Sequence, residues 1–191
     1  MNKILKNPTY RFLIIFLGLF LVLYYFNIAF IGITAPGGYY IEWLNKNANY
    51  IEGLTQGLIK CTVAVLHILG YDTFVADNWL RVSGKGGFIL AYECLGYGIM
   101  SFFTAFVVAY PKPDKSKYLF LPLGLLLIQI LNIARFVLLS LYWKGSIFKG
   151  LIDHHDLFNL ILYACLMFVI YLWINYKGGT SKVENVSSEI K

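Results

Sequence analysis

Long apolar stretches dominate this sequence and constrain its fold more than any other feature. Residues 12–33, 119–143 and 157–176 are each long and apolar enough for a helix to cross a hydrocarbon core of about 30 Å, and residues 92–110 nearly so. Charged residues make up only 14% of the chain, against about 25% in ordinary soluble domains. The sequence therefore predicts an all-α polytopic membrane protein with about four transmembrane helices, forming one integral membrane domain over residues 1–191.

Basic residues lie mostly between the apolar stretches and at the two ends of the chain. The net charge of +6 is therefore typical of a membrane topology signal and does not indicate a nucleic-acid partner. Lys3, Lys6 and Arg11 precede the first stretch, the loop 111–117 is rich in lysine, and the tail 177–191 begins with a lysine. By the positive-inside rule these segments face the cytoplasm, as four crossings require. We expect a multi-pass protein of the cell membrane whose first stretch is a retained anchor.

Two segments between the first and second spans are expected on the extracytoplasmic side. Residues 50–69 carry Glu52, Gln56 and Lys60 at four-residue spacing, which is typical of an amphipathic helix. A fifth crossing would place the basic N-terminus and the lysine-rich loop on opposite sides of the membrane. An interfacial or re-entrant helix is therefore favoured over an additional span. A glycine-rich turn within residues 79–90 separates two short apolar runs and predicts a small hairpin outside the membrane.

The three cysteines have no CxxC spacing, so neither a disulfide framework nor a zinc site is indicated. Cys61 and Cys165 are consistent with buried thiols that pack like small hydrophobic side chains. The same interpretation applies to Cys94 taken alone. Cys94 differs in lying near the predicted outer end of the second span, next to Glu93 and before two glycines that would admit a neighbouring backbone.

Arg135 lies about two turns below the predicted outer end of the third span. An arginine inside a span is costly and usually faces the bundle interior. The alternative is a side chain that extends to the interface. Asn132 and Gln129 precede Arg135 at three-residue steps, so the three form a polar stripe that we expect to face inward.

Two adjacent histidines, His154 and His155, lie just before the last span, again on the predicted outer side. The flanking Asp153 and Asp156 suit helix capping. No HExxH spacing occurs, so an acid or base role for one histidine is favoured over a metal site, and no cofactor is expected.

A thiol, an arginine and a histidine at similar depth favour acyl transfer. A cation stabilises the thiolate that attacks a carbonyl, arginine can hold the developing oxyanion, and histidine can protonate the leaving amine. One alternative is a small membrane scaffold or transporter accessory protein without catalysis. Another is a carrier that uses Glu52, Lys60, Arg135 and the histidines as a relay.

These elements resemble the exosortase/archaeosortase family: Glu93-Cys94-Leu95-Gly96, Asn132-Ile133-Ala134-Arg135 and a histidine near the last span, over residues 87–176. The resemblance implies a membrane-embedded cysteine protease or transpeptidase with Cys94 as nucleophile and Arg135 assisting. It favours His155 as the acid or base, because Asn159 fills the family's turn-forming position four residues later; His154 is the alternative. Leu95 departs from the Ser, Thr or Asn common before the glycine.

The resemblance also implies the partners. The substrates would be exported proteins with a C-terminal sorting signal that combines a short motif, a hydrophobic span and a basic end. The acyl group would pass to water or to an acceptor such as a glycan or a lipid.

Overall fold

The computed structural model describes residues 7–34, 39–112, 115–142 and 154–176, except for the side chains of residues 154–157. The elements in chain order are α1 (Pro8–Thr34), α2 (Glu42–Ala48), α3 (Tyr50–Ile68), β1 (Thr73–Ala76), β2 (Trp79–Val82), β3 (Gly87–Ile89), a 3₁₀ helix (Tyr92–Leu95), α4 (Tyr97–Ala109), α5 (Ser116–Tyr142) and α6 (His154–Asn175).

Four helical segments of the described chain are long and apolar enough to cross a membrane: Pro8–Thr34, Tyr92–Ala109, Ser116–Tyr142 and Phe158–Asn175. They correspond to the four spans that the apolar stretches predicted, and the predicted fold class is confirmed. The second segment differs from the prediction in one respect. It is not a continuous α-helix, because Gly96 separates the 3₁₀ helix from α4.

The spans pack through aromatic rings and close helix contacts. Phe16 of α1 meets Phe102 and Phe106 of α4 edge to face, with ring centroids 5.3 and 6.1 Å apart. Phe120 of α5 stacks on Trp173 of α6 at 4.5 Å. Such pairs contribute about 0.5–1.5 kcal/mol each beyond the area they bury. In a bilayer, where no water drives helix association, this packing holds the bundle together.

One end of the bundle, here called the lysine end, contains the connection between α4 and α5. Lys112 Nζ donates to the carbonyl oxygens of Trp173 (2.7 Å) and Tyr176 (2.9 Å) at the end of α6. Lys117 Nζ donates to the carbonyl oxygen of Tyr110 at the end of α4. Cations near helix C-termini satisfy carbonyls that lack helical partners and complement the helix dipole. The lysines therefore join the ends of three spans.

The opposite end, here called the cysteine end, carries a small antiparallel sheet in the order β1-β2-β3. The pairing of β2 with β3 is the predicted hairpin, but β1 was not predicted. It pairs Ala76 with Trp79 across a two-residue turn, in which Asp77 has a φ of +50°. Asp and Asn tolerate this left-handed conformation, so Asp77-Asn78 was a hairpin signal that the sequence analysis missed. The Gly86 amide donates to the Ser140 carbonyl and joins the sheet to α5.

Helix α3 is amphipathic, as its spacing predicted. Its apolar face, which includes Ile51, Leu58 and Leu66, packs into the hydrophobic cluster at the cysteine end together with the sheet and the last turns of α5. Glu52 and Lys60 lie exposed on the other face. The helix is not among the four membrane-spanning candidates, and its interfacial position stays a prediction.

Candidate active site

Cys94 lies in the 3₁₀ turn between the sheet and α4. Its amide donates to the carbonyl of Ala91 at 2.9 Å, which closes the turn. The turn ends at Gly96, whose φ of +77° is the left-handed conformation that glycine adopts without steric cost. The Cys94 side chain is only 7% exposed. The thiol is therefore presented by a tight turn rather than by the continuous helix expected from sequence.

The polar stripe on α5 packs against this turn. Asn132 is 1% exposed, and its Nδ2 donates to the carbonyl of Leu95 at 3.5 Å and to Gln129 Oε1 at 3.2 Å. Gln129 Nε2 donates to the same Leu95 carbonyl at 3.4 Å. A Cβ added at Gly96 would lie 2.7 Å from Asn132 Nδ2. Two amides thus hold the carbonyl that follows Cys94, and the inward orientation predicted for the stripe is observed.

The glycines after Cys94 were expected to let another backbone approach, and this expectation was wrong. At Gly96 the close neighbour is the Asn132 side chain, and at Gly98 it is the Tyr24 ring of α1, 3.6 Å from a Cβ built there. The reason is that α1 and α5 approach this turn with long side chains directed at it. Gly96 therefore serves the turn and its amide contact, rather than close packing of two helices.

Arg135 connects three elements of the site. It is 6% exposed, Nη2 donates to Cys94 Sγ at 3.5 Å, and Nη1 donates to Asn159 Oδ1 of α6 at 3.3 Å. The guanidinium fork presents donors in fixed directions, so one side chain can contact two partners. Arg135 therefore faces the bundle interior, as the polar stripe predicted, and does not extend to the interface.

These residues surround a small cleft of about 80 Å³. Its walls come from the 3₁₀ turn, the start of α4, α5 and α6. Glu93 lies on its rim and is exposed. The lining residues are Glu93, Cys94, Gly96, Gly98, Ile99, Asn132, Arg135, Asn159, Leu162 and Tyr163.

The structure thus brings together Cys94, Asn132 and Arg135. It adds Asn159, whose contact with Arg135 was not predicted from the sequence. Asn159 had been noted only as the residue four positions after His155. That spacing was the available signal, because residues four apart share a helix face. His154 and His155 begin α6, and their side chains lie outside the described residues.

The other cysteines do not line the cleft. Cys165 is half-buried in α6, but Cys61 is exposed on α3, so its predicted burial was wrong. Thr55, Ile59 and Thr62 form part of the buried face of α3, and Cys61 lies outside that face.

Comparison with known proteins concerns almost the whole chain. Residues 9–172 match a family model described as transmembrane exosortase. No curated protein and no solved structure matches the chain. The match begins in the first span, so the similarity is not confined to residues 87–176, where the motifs lie.

Proposed function

Since the chain belongs to the transmembrane exosortase family, we propose that it is a membrane-embedded cysteine protease or transpeptidase that cleaves C-terminal sorting signals of exported proteins. Its substrates carry a short motif followed by a hydrophobic span and a basic end. Such a span would hold the substrate beside the bundle while the motif reaches Cys94.

The observation that carries this proposal is the 3.5 Å contact between Arg135 Nη2 and Cys94 Sγ. Both side chains are buried, although 41 residues separate them in the chain. The guanidinium places a fixed positive charge at the sulfur, where a cation can stabilise the negative charge that develops during acyl transfer. A cysteine that served only for packing would not require this arginine, whose burial in a membrane protein is costly.

The proposed reaction begins with attack of the Cys94 sulfur on the scissile carbonyl, while a histidine takes up the thiol proton. A bond forms between sulfur and carbon, and negative charge develops on the carbonyl oxygen. Arg135 then stabilises this oxyanion. When the carbon–nitrogen bond breaks, the leaving amine takes a proton from a histidine, and a thioester on Cys94 remains. Water or an acceptor such as a glycan or a lipid then attacks the thioester through a hydroxyl oxygen; the histidine takes the hydroxyl proton, the carbon–sulfur bond breaks, and the proton returns to the Cys94 sulfur.

His155 is favoured over His154 as the proton donor. Asn159 of α6 accepts a hydrogen bond from Arg135, so its helix face is directed at the cleft. His155 is four residues before Asn159, a spacing that places two residues on one face of a helix. His154 is five residues before Asn159, a spacing that separates two residues by roughly 140° round a helix. Glu93 and Asn132 are supporting residues: Glu93 lies on the rim of the cleft, and Asn132 holds the Cys94 turn.

We propose that the cysteine end faces the extracytoplasmic side of the cell membrane. The lysine end contains Arg11, Lys112, Lys115 and Lys117, as the positive-inside rule requires of a cytoplasmic end. Single cysteines introduced at Lys115 and at Lys85, which lie at opposite ends, test this arrangement in a Cys61→Ser background. An impermeant maleimide applied outside intact cells should label position 85 only; labelling of position 115 alone would reverse the orientation.

The test of function is cleavage of a co-expressed protein that carries a C-terminal signal span, compared at equal membrane abundance of each variant. Cys94→Ala and Cys94→Ser should abolish cleavage. Arg135→Ala should slow it about 100- to 1,000-fold, the usual cost of losing one oxyanion donor. Arg135→Lys should not restore it, because a single ammonium cannot reproduce the fork that contacts both Cys94 and Asn159.

Matched controls separate chemistry from folding. Cys165→Ala removes a thiol outside the cleft and should cleave normally, and His155→Ala should lose more activity than His154→Ala. Normal cleavage by Cys94→Ala would refute the proposal. Cys94 would then be a packing residue, and a scaffold or transporter accessory role would take its place.

A further inference from the structure

A groove at the lysine end lies between the start of α1 and the connection of α4 to α5. Its volume is about 430 Å³, and its lining combines apolar and cationic side chains. Phe12 and Ile15 of α1 and Val108 of α4 form the apolar wall, while Arg11 and Lys117 supply positive charge. Arg11 is exposed in the first turn of a membrane-spanning helix, where the chain meets the headgroup region.

The electrostatic environment of this groove favours an anion. Lys117 also lines a neighbouring groove of about 620 Å³, which adds Lys112 and Lys115. Lys117 is held in place because its Nζ donates to the carbonyl oxygens of Tyr110 and Val108. The acidic residues whose side chains the structure describes all lie within residues 42–93, in the segments that form the cysteine end. The described residues that line this groove include Arg11 and Lys117 and no acidic side chain.

We propose that this groove binds an anionic phospholipid. The phosphate lies between Arg11 and Lys117, since guanidinium groups bind phosphate oxygens through paired hydrogen bonds. The acyl chain lies along Phe12 and Ile15 towards the membrane interior. An inorganic phosphate ion would make no use of that apolar wall, and an acidic peptide would have to enter a groove that opens among membrane-spanning helices. The inference does not rest on the proposed chemistry at Cys94.

Retention of lipid by the purified full-length chain tests the proposal. The protein is exchanged into detergent containing equal amounts of phosphatidylglycerol and phosphatidylcholine, and bound lipids are counted by native mass spectrometry. We expect wild type and Cys94→Ala to retain phosphatidylglycerol preferentially. Arg11→Gln should lower that retention about fivefold, because one interfacial cation contributes about 1 kcal/mol to anionic-lipid binding. Arg81→Gln, an exposed arginine on the sheet, should leave it unchanged.

A second pair of variants tests the acyl-chain contact. Ile15→Trp fills the apolar wall without altering charge and should reduce phosphatidylglycerol retention. Ile14→Trp, which changes a neighbouring position outside the groove, should not. Equal retention of both lipids by wild type, or no effect of Arg11→Gln, would overturn the proposal. Displacement of the lipid by inorganic phosphate, together with unchanged phosphatidylglycerol retention by Ile15→Trp, would also overturn the proposal, since the site would then bind only the anion.

Discussion

Replacing Gly96 by alanine perturbs the turn that presents Cys94, in two ways that can be estimated. The φ of +77° costs an L-residue roughly 1–2 kcal/mol. The added Cβ would also lie 2.7 Å from Asn132 Nδ2, so the amide must move and weaken its hydrogen bond to the Leu95 carbonyl, at a cost of roughly 1 kcal/mol. Together, these effects destabilise the fold by about 2–3 kcal/mol.

The assay is thermal unfolding of each variant in the same detergent. One kcal/mol corresponds to roughly 2–4 °C for a chain of this size, so Gly96→Ala should lower the midpoint by roughly 4–12 °C. Gly98→Ala is the matched control. Its Cβ would make an ordinary 3.6 Å contact with Tyr24, and alanine is the better helix former, so its midpoint should stay level or rise slightly.

A double variant separates the two costs. Asn132→Ala removes the amide that Gly96→Ala would displace, so the combination should cost less than the sum of the single changes, while the backbone strain at position 96 persists. An unchanged midpoint for Gly96→Ala, or an equal loss for Gly98→Ala, would refute the reasoning. Strict additivity in the double variant would refute only the contact with Asn132, and the estimate of backbone strain at position 96 would stand.

Three further predictions concern packing, helix capping and thiol exposure. Gly124→Ala should lower the unfolding midpoint, because its Cβ would overlap the buried Phe103 ring and overpacking costs about 1–3 kcal/mol. Lys112→Met should speed amide hydrogen exchange in the last turn of α6, since it removes a donor to two carbonyls worth roughly 0.3–1 kcal/mol. Maleimide in detergent should modify Cys61 well before Cys94, as mass spectrometry of the labelled peptides would measure, because only Cys61 is exposed.

Each of these predictions has a matched control. Gly18→Ala adds a Cβ with no atom within 4 Å and should leave the midpoint level or slightly raised. Lys46→Met removes a lysine from a solvent-exposed ion pair in α2 and should leave exchange in α6 unchanged. Equal midpoints for Gly18→Ala and Gly124→Ala would contradict the contact of Gly124 with Phe103. Unchanged exchange in Lys112→Met would contradict the capping role of Lys112, and faster labelling of Cys94 than of Cys61 would contradict the burial of Cys94.

Much of the architecture was predictable because membrane insertion depends on local properties that add along the chain. A stretch of about 20 apolar residues is a span whatever its neighbours are, and basic residues between spans indicate their orientation. The depth of Cys94 and Arg135 follows from counting residues along such helices. Their shared end of the bundle was therefore predictable from sequence, and so was the inward direction of the stripe that contains Asn132.

Other features depended on the tertiary structure, because they depend on how each helix is rotated about its own axis. Residue counting does not determine whether Arg135 reaches Cys94, Asn159 or both; the packing of α6 against α5 does. The break at Gly96 lies between the sheet and α4, where the chain takes a 3₁₀ turn and Gly96 adopts a φ of +77°. Sequence alone thus determined which groups lie at one depth of the membrane, and the packing of three helices determined which of them touch.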